Sequence, residues 1–161
     1  MRIKLFARKN DINDRFKWMV GVNFTGTNRL RTVFYRRTLG EPDLFQLDDR
    51  LANDTANIGS FALCEVSLMN DTTYPWIILV PKRDAITELY QLSEADQQVF
   101  MHESAFVASR MQMHYKADKM NIAALGNVVA QLHIHHIARY KKDSAWPGPV
   151  WGVKPVVKYA S

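Results

Sequence analysis

The chain of 161 residues holds a single cysteine, Cys64, so no internal disulfide can form and no thiolate pair can anchor a zinc cluster. A reducing compartment suits such a protein, and a cytoplasmic location is expected. Long apolar runs are missing as well. The longest, such as Trp76 to Val80, fall far short of the ~18 to 20 residues a helix needs to cross a bilayer, so no membrane partner is expected. Near the N-terminus, Trp18 to Val22 is shorter than the ~7 to 15 apolar residues of a secretory signal. Gly and Pro number only 7 and 6, which excludes a collagen-like chain. With 47% hydrophobic and 23% charged residues, the composition is that of one folded domain with a real core.

Acidic residues are scarce at one end. Residues 1–42 carry ten Lys or Arg against three acids, a net +7, whereas the remainder has 11 basic and 13 acidic residues, a net −2. The isoelectric point of about 9.4 therefore describes the leader rather than the domain. Serine is absent from residues 1–42, which argues against a transit peptide. Phe6, Phe16, Trp18, Phe24, Phe34 and Tyr35 follow neither a helical nor an alternating period, so little cooperative structure is expected there. Residues 1–42 read as a basic leader, either a passive arm or upstream sequence from a misplaced start, ahead of a domain at 43–152 and a tail at 153–161. Nucleic acid is expected as a partner only through the leader.

Within the domain, Leu44, Leu47 and Leu51 have the spacing of a short amphipathic helix that starts near Pro42 and Asp43. Asn57 to Ser60 reads as a turn, Phe61 to Met69 as one or two strands ending in the polar cluster Asn70 to Thr73, and Trp76 to Val80 as a buried strand stopped by Pro81. Ser93-Glu94-Ala95-Asp96 has the form of a capping box, which predicts a helix from about Glu94 to Lys116. Its buried stripe is expected at Val99, Phe106 and Met113, flanked by Phe100, Val107 and Met111. Met120 to Leu125 and Leu132 to Arg139 read as strands, and Trp146 to Trp151, with two prolines and a glycine between the tryptophans, as irregular. Strands near one another in sequence with a long helix interposed predict an α+β domain on an antiparallel sheet.

The segment richest in chemistry is Gln131-Leu132-His133-Ile134-His135-His136-Ile137-Ala138-Arg139. Alternation along a strand puts Gln131, His133 and His135 on one face and Leu132, Ile134 and His136 on the other. Members of the polar row sit roughly 6.5 to 7 Å apart, a spacing at which several groups can address one phosphate. A solvated face with chance histidines is one alternative, and a metal pair at His133 and His135 another. A zinc site wants a third or fourth ligand, while His136 points away and Cys64 has no partner. His102 and His114 are twelve residues apart on the predicted helix, too far to act as one-turn partners.

Gln131 to Ile137 resembles the signature His-φ-His-φ-His-φ-φ of the histidine triad family, with Gln in the first His position. The resemblance covers most of residues 43–152, including the strand Trp76 to Val80 with Pro81-Lys82-Arg83, the long helix, and Asn121 and Gly126-Asn127 before the signature. It implies an antiparallel sheet of about five strands with one long and one short helix, dimerising through the sheet and long helix. It also implies a nucleotide hydrolase or nucleotidyl transferase acting on dinucleoside polyphosphates or nucleoside phosphoramidates, with no cofactor.

By the same resemblance His133 is the nucleophile, His135 donates to the non-bridging phosphate oxygens, and Gln131 donates near the leaving-group oxygen. Asn70 looks like the family residue that holds the ribose hydroxyls, with Asp71 as the alternative; Asn121 and Asn127 resemble residues near the nucleotide. An attacking imidazole splits one displacement into two, through a nucleotidyl-histidine that water cleaves. The chain departs from the family pattern in three places: Gln131 cannot titrate, Val128 lacks the usual hydroxyl, and His136 replaces an apolar residue. His136 reads as a packing or surface substitution, and Trp146 and Trp151 as residues that seal the sheet or, as the alternative, line the leaving-group side.

Overall fold

The computed structural model describes residues 4–6, 21–23, 45–153 and 157–159. Two units are distinguished, Met1–Leu44 and Phe45–Ser161. In the first, β1 (Lys4–Phe6) pairs antiparallel with β2 (Gly21–Asn23), Leu5 opposite Val22. The expectation of little cooperative structure in residues 1–42 otherwise falls outside the described residues.

The second unit opens with residues 45–48 in irregular backbone, followed by α1 (Asp49–Asp54). The helix starts later than the leucine spacing predicts. The Asp48 carboxylate accepts the Arg50 N–H at 2.9 Å, and this cap sets the first turn. Phe45 and Leu47, released from the helix, pack as half-buried residues against the core below. Strand β3 (Thr55–Ser60) then pairs with β4 (Cys64–Met69). Here the predicted turn at Asn57 to Ser60 is wrong. These residues form an edge strand with an irregularity between Asn57 and Gly59, and the reversal comes afterwards at residues 61–63.

Strand β5 (Trp76–Pro81) follows, then a 3-10 turn at Leu89–Gln91, the long helix α2 (Glu94–Tyr115), β6 (Lys119–Ala123) and β7 (Ile134–Arg139). As expected, Ser93 caps α2, its hydroxyl accepting from the Asp96 N–H at 3.1 Å. Lys116 closes the helix in the left-handed conformation, φ 52. The sheet order is β3-β4-β5-β7-β6 with every neighbouring pair antiparallel. The fold is therefore α+β, a five-stranded antiparallel sheet with one long helix.

Each face of the sheet has its own core. Cys64, Val66, Leu79, Ile134 and Ala138 meet Phe100, Val107 and Met111 of α2. Trp76, Ile78, Val80 and Ile137 meet Leu51, Val129, Ala145 and Val150 on the opposite side. Side chains as fully buried as Leu79 and Met111 each contribute on the order of 1.5 to 3 kcal/mol.

The buried stripe of α2 runs through the expected flanking residues Phe100, Val107 and Met111, with Val99 packed half-buried beside them, rather than through Phe106 and Met113. Phe100, Glu103, Ser104, Val107 and Met111 are buried, while Phe106 and Met113 are 39% and 64% exposed. Two of the five are polar, which hides the period from a count of apolar residues. Glu103 belongs inside because its carboxylate accepts the N–H groups of Leu63 and Cys64 at 2.9 and 3.0 Å, satisfying the reversal between β3 and β4. Burial, with Glu103 alongside, pushes the Cys64 thiol well above its usual range.

Candidate active site

The histidine row lies on the face of the sheet away from α2. Register makes this explicit: Ile78 of β5 and Ala123 of β6 both pair with His135, so the three side chains share a face. The strand proper begins at Ile134, leaving Gln131 to His133 in the connection just before it, and Leu132 N–H anchors that connection on Ile86 O at 2.9 Å. The rings of His133 and His135 nevertheless meet edge to face with centroids 4.9 Å apart. Both residues are buried to 7% exposure.

The two imidazoles are set in opposite senses. His133 Nδ1 is 2.7 Å from the carbonyl oxygen of Gln131. A carbonyl only accepts, so Nδ1 carries the hydrogen and Nε2 of the neutral ring keeps its lone pair. His135 Nδ1 instead accepts the indole N–H of Trp76 at 3.0 Å. An indole only donates, so the neutral His135 ring carries its hydrogen on Nε2. One ring presents an electron pair and the next a hydrogen-bond donor. Burial, with His133 and His136 adding to it, holds His135 neutral and pushes its pKa down to about 3.

Trp76 and Trp151 complete the wall around His135. Trp76 lies 5.3 Å from the imidazole and Trp151 5.4 Å from it, while the two indoles meet at right angles 5.6 Å apart. Trp151 thus packs on the histidine row itself. Trp146, 37% exposed, lies under the Arg139 guanidinium at 5.9 Å.

Gln131 is tied to the segment ahead of α1. Its Oε1 accepts from Asp48 N–H and its Nε2 donates to Gln46 O, both at 2.9 Å. One of its two amide hydrogens is therefore directed at the backbone of residue 46. Asn70 follows β4, and its Oδ1 accepts the Tyr159 N–H at 3.0 Å. Asp71 is buried and accepts from Thr73 N–H at 2.8 Å. Asn121 sits on β6 opposite Ile137, on the histidine face, with its Oδ1 accepting from Arg139 Nη1 at 2.7 Å. Asn127 is exposed, next to Gly126, whose φ of +70 favours glycine. Ring packing thus brings His133 and His135 together, while Asn70 is held by Tyr159 and Asn121 by Arg139.

His136 occupies the other face, fully buried, with Nδ1 donating to Ile134 O at 3.2 Å and Nε2 accepting from Ser104 Oγ at 2.8 Å. It is a packing residue under α2, with its pKa pushed down to about 4 by burial against the opposing effect of the Ile134 carbonyl. Among the described residues no three His, Cys, Asp or Glu side chains gather as a metal site. No helix among them is long and apolar enough to cross a membrane.

A family profile described as HIT domain matches residues 50–142. The chain belongs to the histidine triad family. Membership makes it part of a superfamily of nucleotide-binding hydrolases and transferases. A histidine triad protein from Marinobacter aquaeolei VT8, solved as a crystal structure, is 53% identical, with 72% of this chain and 85% of that chain covered and a TM-score of 0.71. One from Sinorhizobium meliloti 1021 is 45% identical over 73% of this chain and 87% of that chain, TM-score 0.71. A third, from Bradyrhizobium japonicum, is 44% identical over 72% and 87% with the same TM-score. No curated protein matches the chain.

Sequence reasoning missed Trp76, which it treated as core alone, and the pairing of His136 with Ser104. A signal existed for the first. A buried indole N–H needs an acceptor, and the central strands of a sheet have few carbonyls to spare.

Proposed function

We propose that this histidine triad protein binds a nucleotide and breaks the bond between its α-phosphorus and the leaving group through His133. The Nε2 lone pair of His133 attacks phosphorus, the bond to the leaving group breaks, and the leaving group departs with its electron pair and acquires a proton. Water then cleaves the phosphorus–nitrogen bond, which restores His133 and releases the nucleoside monophosphate. His135 Nε2–H donates to the non-bridging oxygens, where negative charge concentrates as the transferring group loosens. The complementary tautomers of His133 and His135 carry this reading. A dinucleoside polyphosphate or nucleoside phosphoramidate supplies the substrate class, and the step calls on no cofactor.

Gln131 keeps a second amide hydrogen for the leaving-group side. Asn70 serves the ribose hydroxyls, and Asn121 and Asn127 the phosphate side of the nucleotide. The amide nitrogen of Asn121 remains a donor once Arg139 has taken its oxygen. The protein acts in the cytoplasm as a homodimer formed through the sheet edge and α2, where Met101, Met113 and Ile122 stand exposed. A second reading, a nucleotide-binding module with weak catalysis, is favoured by the double tether of Gln131 to residues 46 and 48. Incubating the protein with a panel of adenylated and guanylated compounds and trapping the adduct separates the two. A nucleotide mass on His133 is expected, and tight binding with no adduct and no turnover would establish the module instead.

A further inference from the structure

By sequence Trp76 is one more apolar member of β5, yet its indole N–H ends on a histidine nitrogen. We propose that Trp76 is a positioning residue for the transfer step: by donating to His135 Nδ1 it holds that ring as the tautomer with hydrogen on Nε2, so the site presents a donor to the phosphate. The inference rests on the reaction proposed at His133, but it makes a claim about His135 that can be tested apart from turnover.

The physical reason is the one-way character of the bond. An indole has a hydrogen to give and no lone pair to offer, so only the Nδ1-unprotonated form of His135 satisfies it. Turning the imidazole over would set a carbon against the indole N–H in a buried place, which leaves that donor without a partner. The ring plane is held as well, since Trp151 packs edge-on against both Trp76 and His135. Without the indole hydrogen, His135 Nδ1 is free to take the proton and turn a lone pair on Nε2 toward the phosphate, where an acceptor would then face anionic oxygens that need a donor. His133 is set by a carbonyl and His135 by an indole, so the acceptor and donor roles of the pair are assigned before any ligand arrives.

The groups around His135 leave few other controls on its protonation. His133 and His136 act on it from its own segment. The neighbouring strands place Ile78 and Ala123 beside it in register, and the C-terminal region brings Trp151, none of which titrates near neutrality.

The test compares wild type, Trp76→Phe and Trp151→Phe by nitrogen-15 shifts of the histidine rings and by the pH dependence of kcat. Wild type and Trp151→Phe should show a single Nε2–H form of His135 throughout the neutral range. Trp76→Phe should show mixed tautomers or a ring that takes up a proton at higher pH. Its kcat should fall roughly tenfold, the scale of one misdirected hydrogen bond to a developing charge, with KM changed less, and its acid limb should move upward. Replacing Trp76 by its benzothiophene analogue removes the N–H at almost constant shape and should give the same result if Trp76→Phe folds poorly. A His135 that stays in the Nε2–H form when Trp76 is replaced by Phe or by the benzothiophene analogue, with a superimposable pH profile, overturns the proposal. A wild-type protein with the fixed tautomer but no nucleotidyl adduct would instead overturn the proposed reaction.

Discussion

His135 and His136 are adjacent in the chain and face opposite sides of the sheet, and the difference between them separates a histidine with a nitrogen left for a ligand from one spent on packing. Both are deeply buried and both are held neutral by burial, His135 down to about 3 and His136 to about 4. Burial and depressed basicity therefore do not tell them apart. Hydrogen-bond saturation does. His136 spends one nitrogen on Ile134 O and the other on Ser104 Oγ. His135 spends Nδ1 on Trp76, and among the described residues nothing holds its Nε2. A neutral imidazole has one donor and one acceptor, so a ring with both engaged has nothing left for a ligand.

The sharpest way to break the comparison is on the row itself. His133→Ala should reduce turnover by more than roughly 10³-fold, because the variant lacks the bond-forming nitrogen, while nucleotide affinity stays within about tenfold. Direct binding and single-turnover measurements check both halves, and undiminished turnover would remove the mechanism. His136→Ala should do the reverse. It leaves a cavity and an unpaired Ser104 hydroxyl beneath α2, a loss of about 2 to 4 kcal/mol in urea denaturation, with kcat per folded molecule near wild type.

The pH dependence of stability follows with its sign. The folded-state pKa values of His135 and His136 lie below 6.5, so below that pH the unfolded chain takes up protons that the folded protein refuses. Stability should be unaffected by these two groups above about pH 7 and fall as pH drops toward 4, by roughly 1.4 kcal/mol per pH unit for each fully shifted group. His136→Asn should flatten that fall, which denaturation at several pH values would show. Asp143 adds a later loss. Its bidentate pairing with Arg139 depresses its pKa from 3.8 to about 2, so its contribution disappears as pH falls between those values.

Smaller effects sharpen the picture of Gln131. Gln131→Ala should cost about 1 to 2 kcal/mol by releasing the backbone of residues 46 and 48. Gln131→His should help substrates with poor leaving groups more than those with good ones, since only an imidazole can pass on a proton. Equal effects on a phosphoramidate and an anhydride would assign Gln131 to tethering alone. The smallest expected effect is none: activity should survive exhaustive chelation, and loss followed by rescue with zinc would favour a metal at the histidine pair.

Features that rest on neighbours in the chain were legible in advance. The Ser93 cap, the long helix behind it, the β5 run ending at Pro81 and the opposition of His135 to His136 all follow from local rules. Features that depend on distant partners were not. Asn57 to Ser60 carries turn residues, yet β4 recruits it as an edge strand. The face of α2 centres on Phe100, Val107 and Met111 and leaves Phe106 and Met113 outside, because Glu103 is needed inside to receive two backbone N–H groups 40 and 39 residues away in sequence. Gln131, read as a leaving-group donor, is also a tether because residues 46 to 48 come to lie beside it.

The sequence by itself determined the order of elements from β4 onward, the family signature and the opposite faces of His135 and His136, because strand alternation and helix capping act over a few residues. Only the tertiary structure decided which nitrogen of each histidine holds its hydrogen. That choice depends on whether the group opposite Nδ1 gives or accepts, and for His135 the group is an indole brought in from β5, 59 residues earlier in the chain.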